Sequence, residues 1–193
     1  MDALTLVRQD HRKLEGLLER CRRLDGEPGV ERALLLDQLQ AALRHHVDQE
    51  ESILYTIFRE RARQAEVDQA PLDQALEQHR LIERLWRELT DAGPGGPTSR
   101  AKLTALVEQV RTHLDTEDAT LLTALEAELD DPALLDLGRR LENRRRVVAA
   151  QEALESTTTD LLPKLRRGVM VVAATAAAIA LAAIARRRRP AGR

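Results

Sequence analysis

Four of the five histidines recur at intervals that are typical of paired helices, and two of them precede a glutamate by four residues. The pattern consists of His11, His46, Glu50, His79, His113 and Glu117. The first two histidines lie 35 positions apart and the last two lie 34 positions apart. Four residues advance an α-helix by about 400°, so each His-x3-Glu pair shares one helix face. The repeat predicts two similar helical hairpins, and thus four helices that bring these side chains together.

Apolar residues at three- and four-residue intervals support the same four helices. These segments cover about residues 4–18, 34–57, 71–90 and 98–129. The strongest break is the Gly- and Pro-rich stretch 93–97, after which Thr98 or Ser99 is expected to cap the fourth helix. Asp131 and Pro132 are expected to begin a fifth helix. Short connections between helices of similar length predict an all-α, up-down-up-down bundle.

Composition excludes several other classes of protein. Aromatic residues make up only 2% of the chain, so its core must be built from Leu, Ile, Val and Ala, which suits helix packing better than a β-sandwich. The single cysteine, Cys21, excludes an internal disulfide and favours a reducing compartment. No phosphate-binding loop, dinucleotide fingerprint or nucleophilic triad is recognisable. The arginines at 186–189 lack interleaved aromatics, so no nucleic-acid partner is expected.

The repeated histidines and glutamates lie in stripes of leucine and isoleucine, and they are therefore expected to face the core. Ionisable groups in a core are costly unless they are paired or coordinate a metal. Four imidazoles and two carboxylates could provide two bridging carboxylates and two histidines per ion, which suits a pair of divalent ions. The alternative is that each histidine is an ordinary packed side chain. The joint pattern favours the metal site.

This pattern resembles that of the hemerythrin-like family, or HHE cation-binding domain: one His, a His-x3-Glu, one His and a second His-x3-Glu on successive helices. The resemblance covers about residues 1–130. The family often continues the second-helix motif with Glu-x-x-Leu-Phe-Pro, of which residues 51–56 keep a part. The resemblance implies a four-helix bundle that binds two iron ions, joined by an oxo or hydroxo bridge. It also implies oxygen, nitric oxide or peroxide as the small ligand.

Two departures from the family pattern bear on chemistry. Oxygen-carrying members have a second histidine one turn after the third-helix histidine, where this chain has Glu83. They also use His-x4-Asp on the fourth helix, a spacing that Asp118 satisfies, so Asp118 competes with Glu117 as a ligand. Glu117 is favoured because it preserves the repeat. The lost imidazole disfavours simple reversible oxygen carriage and favours redox reaction with oxygen or peroxide.

Other polar residues near the pattern have less certain roles. Glu15 and Glu83 follow their histidines by one turn, and each is either a partner of the site, an extra ligand or part of a solvated face. Glu51 points about 100° away from its neighbour in the pattern. His45 is rotated in the same way and is expected at the surface. Tyr55 lies about 180° around the helix from the second histidine, and it is not expected to be a ligand.

Charge and apolarity divide the chain into three predicted parts. Residues 1–130 form the metal-binding bundle, and residues 131–165 form a charged connector helix whose arginines are expected to be solvated. Residues 166–193 form an Ala-rich helix with a basic tail. Residues 168–185 carry no charge and would span about 27 Å as a helix, close to a bilayer core of about 30 Å. No signal peptide is visible. A cytoplasmic domain anchored by a carboxyl-terminal transmembrane helix is therefore expected; a soluble helix, an oligomerisation helix or a tail on anionic lipid are the alternatives.

The leading functional hypothesis is a non-haem di-iron protein that binds or reacts with oxygen, peroxide or nitric oxide, as a sensor, scavenger or store at a membrane. An enzyme that turns over peroxide at the di-iron centre is the second hypothesis. A metal-free helical scaffold at the membrane is the third. The sequence names no protein partner. Cys21 is expected to be a buried apolar side chain rather than a redox sensor.

Overall fold

Every regular element in the described part of the chain is helical. The computed structural model describes residues 1–24, 29–65 and 68–151. The elements are α1 (Ala3–Arg23), α2 (Val30–Gln49), a π-helical turn (Glu50–Leu54), α3 (Tyr55–Ala65), α4 (Ala70–Asp91), α5 (Gly96–Ala119), α6 (Leu121–Glu128) and α7 (131–151). Residues Met1–Arg146 form one compact unit, and a second unit begins at Val147. Only residues 147–151 of the second unit are described, and these are helical.

The elements combine into four long helices. The π-helical turn joins α2 to α3 without a break, because the Glu50 N–H donates to the His46 carbonyl and the Tyr55 N–H donates to the Glu50 carbonyl. Only Thr120 separates α5 from α6, and its N–H still donates to the Thr116 carbonyl. The predicted four-helix pattern is therefore confirmed.

Two apolar clusters show that neighbouring helices are antiparallel. The first, which we call the lower cluster, combines the beginning of α1 and of α4 with α3, α6 and α7, and includes Leu4, Leu54, Phe58, Leu72 and Leu121. The second, the upper cluster, combines the end of α1 and of α4 with α2 and α5, and includes Leu18, Leu39, Leu89, Leu106 and Val110. The first and third long helices contribute their beginnings to the lower cluster, whereas the second and fourth contribute their ends, as an up-down-up-down bundle requires.

Helix α7 packs onto the bundle, in contrast to the solvated connector that the sequence suggested. Its leucines at 134, 137 and 141 are buried in the lower cluster. Arg144 donates from Nε to Asp48 Oδ2 at 2.7 Å, and Arg145 donates from Nε to Gln49 Oε1 at 2.7 Å. Arg145 also pairs with Asp10. The apolar stripe and these partners outweigh the basic composition of the segment, so residues 131–146 belong to the same compact unit as the bundle.

Two helix starts differ from their predicted caps. Helix α5 begins at Gly96 after Gly95, whose φ of 83° favours glycine, and Pro97 is tolerated in the first turn because no N–H is needed there. Ser99 is therefore inside the helix, where it is buried and accepts a hydrogen bond from Arg32 at 3.0 Å. Helix α7 is capped one residue early, by Asp130, whose carboxylate accepts from the Ala133 N–H.

The predicted membrane helix falls in the part of the chain that the structure does not describe. Residues 168–185, and all of the predicted third part of the chain, lie outside the described residues. Among residues 1–24, 29–65 and 68–151, no helix has the length and apolarity needed to cross a bilayer.

Two glycines allow a paired test of how α7 packs. Gly16 lies in α1 with open space around it, so Gly16→Ala is expected to raise the free energy of unfolding by about 0.5–1 kcal/mol. A Cβ on Gly138 would overlap the Met1 carbonyl oxygen and lie 3.0 Å from the Asp2 carbonyl carbon. Gly138→Ala is therefore expected to lower the free energy of unfolding by about 1–3 kcal/mol. Urea unfolding measures both values, and a rise in both variants would contradict the close approach of α7 to the amino terminus.

Candidate metal centre

All six residues of the sequence pattern meet in one buried cluster between the two apolar clusters. None of the six side chains is more than 5% exposed. Their ligand atoms form two overlapping groups, each within 4.8 Å: His46, Glu50, His79 and His113 form one, and His11, His46, Glu50 and Glu117 form the other. His46 and Glu50 belong to both groups. We call these the His79 group and the His11 group.

Glu50 lies at the centre of the cluster. Its Oε1 is 2.9 Å from His46 Nδ1 and 3.6 Å from His11 Nε2, whereas its Oε2 is 3.2 Å from His79 Nε2 and 3.6 Å from His113 Nε2. One carboxylate oxygen thus faces each group. This is the arrangement that a carboxylate bridging two ions requires.

Several buried polar atoms of the cluster have no hydrogen-bond partner. They are His11 Nε2, Glu50 Oε1 and both carboxylate oxygens of Glu117. A buried polar atom without a partner costs about 1–3 kcal/mol, and more if it is charged. Three of these atoms are carboxylate oxygens, and two of the three, Glu50 Oε1 and Glu117 Oε2, lie near His11 Nε2, so a cation would satisfy them where another acceptor could not. The donor set fits a metal ion.

Three imidazoles are held from outside by acceptors on their Nδ1 atoms. His11 donates to Asp118 Oδ1 at 3.1 Å, and His113 donates to Gln78 Oε1 at 3.2 Å. His79 donates to Glu51 Oε1 at 2.8 Å. Such partners fix the ring and its tautomer, and leave the lone pair on Nε2 pointing inward. The Nε2 atoms of His79 and His113 are 3.1 Å apart, a distance at which two lone pairs repel unless a proton or a metal ion lies between them.

The structure distinguishes between the carboxylates that the sequence left as alternative ligands. Glu117 points into the cluster, whereas Asp118 is 43% exposed and contacts only the outer side of His11. The sequence did not indicate a role for Glu51, because it is rotated away from Glu50 on the helix. In the structure Glu51 contacts the outer Nδ1 of His79, as Asp118 contacts the outer Nδ1 of His11. Glu15 and Glu83 are exposed. Position 83 therefore contributes nothing to the cluster, and no imidazole replaces the one that oxygen carriers have there.

Tyr55 is a member of the cluster that the sequence prediction missed. Its side chain is 1% exposed, and its hydroxyl donates to Glu50 Oε2 at 3.2 Å and lies 3.3 Å from His79 Nε2. The phenol ring stacks on the His79 imidazole, with centroids 5.4 Å apart and an interplanar angle of 20°. The error has a local cause. The π-helical turn Glu50–Leu54 contains one residue more than a regular α-helical turn. Tyr55 is therefore rotated by about 100° from its position on a regular α-helix, which brings its hydroxyl next to Glu50.

The protonation of the histidines reflects competition between burial and nearby carboxylates. Burial disfavours the charged imidazole of His11, but hydrogen bonds to carboxylates, that to Asp118 first, raise its pKa to about 12. The same balance raises the pKa of His79 to about 9. For His113, burial prevails and lowers the pKa below its usual value.

The two inward carboxylates differ. Burial alone would raise the pKa of Glu50, but the imidazoles of His46 and His11 hold it well below the usual value. Burial and the charge of Glu50 raise the pKa of Glu117 to about 7. Burial and the two carboxylates also raise the pKa of the Tyr55 phenol. The cluster thus attracts positive charge, which protons or a metal ion can supply.

His45 and Cys21 lie outside the cluster. His45 is half-buried and belongs to neither group. Cys21 is 2% exposed among the leucines of the upper cluster, and burial raises the pKa of its thiol to about 11. A thiol with a raised pKa holds little thiolate at neutral pH, which agrees with a packing role.

Comparison with known proteins supports the resemblance. The family model of the hemerythrin HHE cation-binding domain matches residues 2–125, which include all six residues of the pattern. No match was found among curated proteins or among solved structures. The buried His and Glu cluster is compatible with metal binding. The assignment of each residue as a ligand stays a prediction. The family match covers more than half of the chain, and the chain belongs to the hemerythrin HHE cation-binding family.

Proposed function

We propose that the cluster binds two iron ions and that the ligands are His11, His46, Glu50, His79, His113 and Glu117. The observation that carries this proposal is the set of unpartnered inward atoms: His11 Nε2, Glu50 Oε1 and both oxygens of Glu117. All four atoms belong to residues of the His11 group, and Glu50 is shared with the His79 group. Mixed imidazole and carboxylate donors suit iron, and the ligands come from all four long helices, as in other di-iron bundles.

The two groups provide one position for each ion. Glu50 faces both groups, one oxygen to each, and Glu117 Oε2 lies 3.3 Å from His11 Nε2 and 3.9 Å from His113 Nε2. Both carboxylates can therefore bridge. An oxo or hydroxo bridge between the ions completes the arrangement that we propose.

The site excludes bulk water, because all six proposed ligands are buried. When bound, the iron pair would supply electrons to oxygen or peroxide, or bind nitric oxide. The chain itself holds the imidazoles in place from outside, through Asp118, Glu51 and Gln78. The two apolar clusters close the site from both ends of the bundle. A sensor, scavenger or store of these small molecules is the function that this arrangement supports.

Metal analysis of the purified full-length protein tests the proposal. We expect about two iron ions per chain after loading with ferrous iron under nitrogen, followed by exhaustive dialysis. We also expect the optical spectrum to change when air is admitted. A chain that retains no iron while its circular dichroism remains helical would leave only the scaffold hypothesis.

Peroxide turnover is a second candidate, and the exposure of Glu83 favours it. With no imidazole from that position, the six proposed ligands are four imidazoles and two carboxylates, and the anionic carboxylates stabilise oxidised iron. The reaction converts two molecules of hydrogen peroxide into one of oxygen and two of water. Oxygen evolution that continues over many turnovers per chain would favour the enzyme. A single turnover would favour a sensor or scavenger.

We also propose, from the sequence alone, that residues 168–185 anchor the protein in a membrane. Deletion of residues 164–193 is expected to move the protein from the membrane fraction to the soluble fraction without loss of iron, because no proposed ligand lies beyond residue 117. Fractionation after a high-salt wash and after detergent is the measurement. An inserted helix resists salt, whereas attachment by the arginines alone is screened. Full-length protein that is soluble in low salt would contradict the anchor.

A further inference from the structure

We propose that the phenolate oxygen of Tyr55 is a direct ligand of the ion bound by the His79 group. This inference rests on the proposed function, because it requires an ion at that position. It adds a seventh residue to the site, of a chemical type that the sequence pattern does not contain.

The distances around Tyr55 carry the inference. Two donors that are each about 2.1 Å from one ion and at right angles to each other lie about 3 Å apart. The Tyr55 hydroxyl is 3.2 Å from Glu50 Oε2 and 3.3 Å from His79 Nε2. Those two atoms are 3.2 Å apart, and His79 Nε2 is 3.1 Å from His113 Nε2. The hydroxyl is therefore spaced from the proposed ligands as they are from one another.

The position of Tyr55 also matches a shortage of donors. Position 83 contributes no side chain to the cluster, so the His79 group has two imidazoles of its own, together with His46 and Glu50, which it shares with the His11 group. The π-helical turn brings a buried oxygen donor next to His79 Nε2, and His79 belongs to this group alone. The structure thus provides a phenol oxygen on the side of the cluster where position 83 contributes no ligand.

Ligation involves a proton and no electron. As the ion binds, the O–H bond of Tyr55 breaks, its proton passes to solvent, and an oxygen–metal bond forms. A metal ion favours this exchange because its charge stabilises the anionic form of a ligand. The iron keeps its oxidation state. The competing interpretation is that Tyr55 remains a phenol that only donates a hydrogen bond to Glu50.

Optical and resonance Raman spectra of the ferric full-length protein separate the two interpretations. Phenolate bound to Fe(III) gives a visible charge-transfer band, and excitation into that band enhances the ring vibrations of the phenolate. Tyr55 is the only tyrosine in the chain, so such a signal has one possible source. We expect the band in the native chain, its complete loss in Tyr55→Phe, and its retention in Trp86→Phe, whose side chain lies in the upper cluster.

Each result decides the matter. Two iron ions per chain without phenolate vibrations would overturn ligation by Tyr55 and leave the iron site standing. A visible band that enhances no phenolate vibration in the native chain and persists unchanged in Tyr55→Phe would overturn it as well, because that band would belong to the bridge between the ions. A native chain that binds no iron would overturn both proposals. If Tyr55→Phe fails to fold or to bind iron, the vibrations of the native chain decide alone, because no other tyrosine can produce them.

Discussion

Replacement of His46 or His113 by alanine is expected to remove most of the bound iron, whereas His45→Ala is expected to leave the iron content unchanged. His46 belongs to both groups, so its loss affects both ions, and His113 belongs to the His79 group. Loss of an outer partner of a ligand typically weakens metal binding by about 10- to 100-fold, and loss of a ligand itself should exceed this. His45 belongs to neither group.

The measurement is iron per chain after loading and dialysis, with circular dichroism to show that each variant is folded. We expect about two ions in the native chain and in His45→Ala, at most one in His113→Ala, and nearly none in His46→Ala. His45 and His46 are adjacent, so the two variants differ only in which face of α2 loses its imidazole. Equal iron loss in all three variants would refute the assignment.

Arg145→Ala is expected to lower the free energy of unfolding by about 2–4 kcal/mol, because it leaves polar groups inside the interface of α7 without a partner. Arg145 pairs with Asp10, donates to Gln49 Oε1 at 2.7 Å, and donates to the Leu6 carbonyl at 3.3 Å. Gln49 is 3% exposed. Its amide oxygen would therefore lose its charged donor inside the interface.

Arg146→Ala is the matched control. The Arg146 side chain is 77% exposed and lies 4.0 Å from Glu142, so its removal should change stability by less than about 0.5 kcal/mol. Urea unfolding at constant slope measures both variants. A similar stability of the two variants would mean that Arg145 is a solvated residue, as the sequence first suggested.

Much of this structure is predictable because the information is local and repeated. Apolar spacing identifies the four long helices, and the His-x3-Glu pairs identify the inward face of two of them. These two features were sufficient to predict that six residues, from His11 to Glu117, lie close together. Pattern reasoning assumes a regular helix, and over α1, α4 and most of α5 the backbone meets that assumption.

The failures occur where the backbone departs from regularity or where a partner is distant in sequence. Tyr55 was misplaced because one extra residue in the π-helical turn rotates all that follows, and no apolar spacing reveals it. Arg145 was misjudged because its partner Asp10 is 135 positions away. The leucines at 134, 137 and 141 have helical spacing and could have indicated a buried face, but the surrounding arginines obscured it.

The cluster of imidazoles and carboxylates separates the apolar interior into two parts, and this has a consequence for folding cooperativity. In a bundle with a continuous apolar core, unfolding of one end exposes the core of the other, so both ends unfold together. Here the lower and upper clusters are distinct. Without metal, the two ends should therefore open with separate free energies, seen as two classes of amide hydrogen exchange. Ions that bind all four long helices would join the ends into one cooperative unit, so that iron supply would set the resistance of the chain to proteolysis.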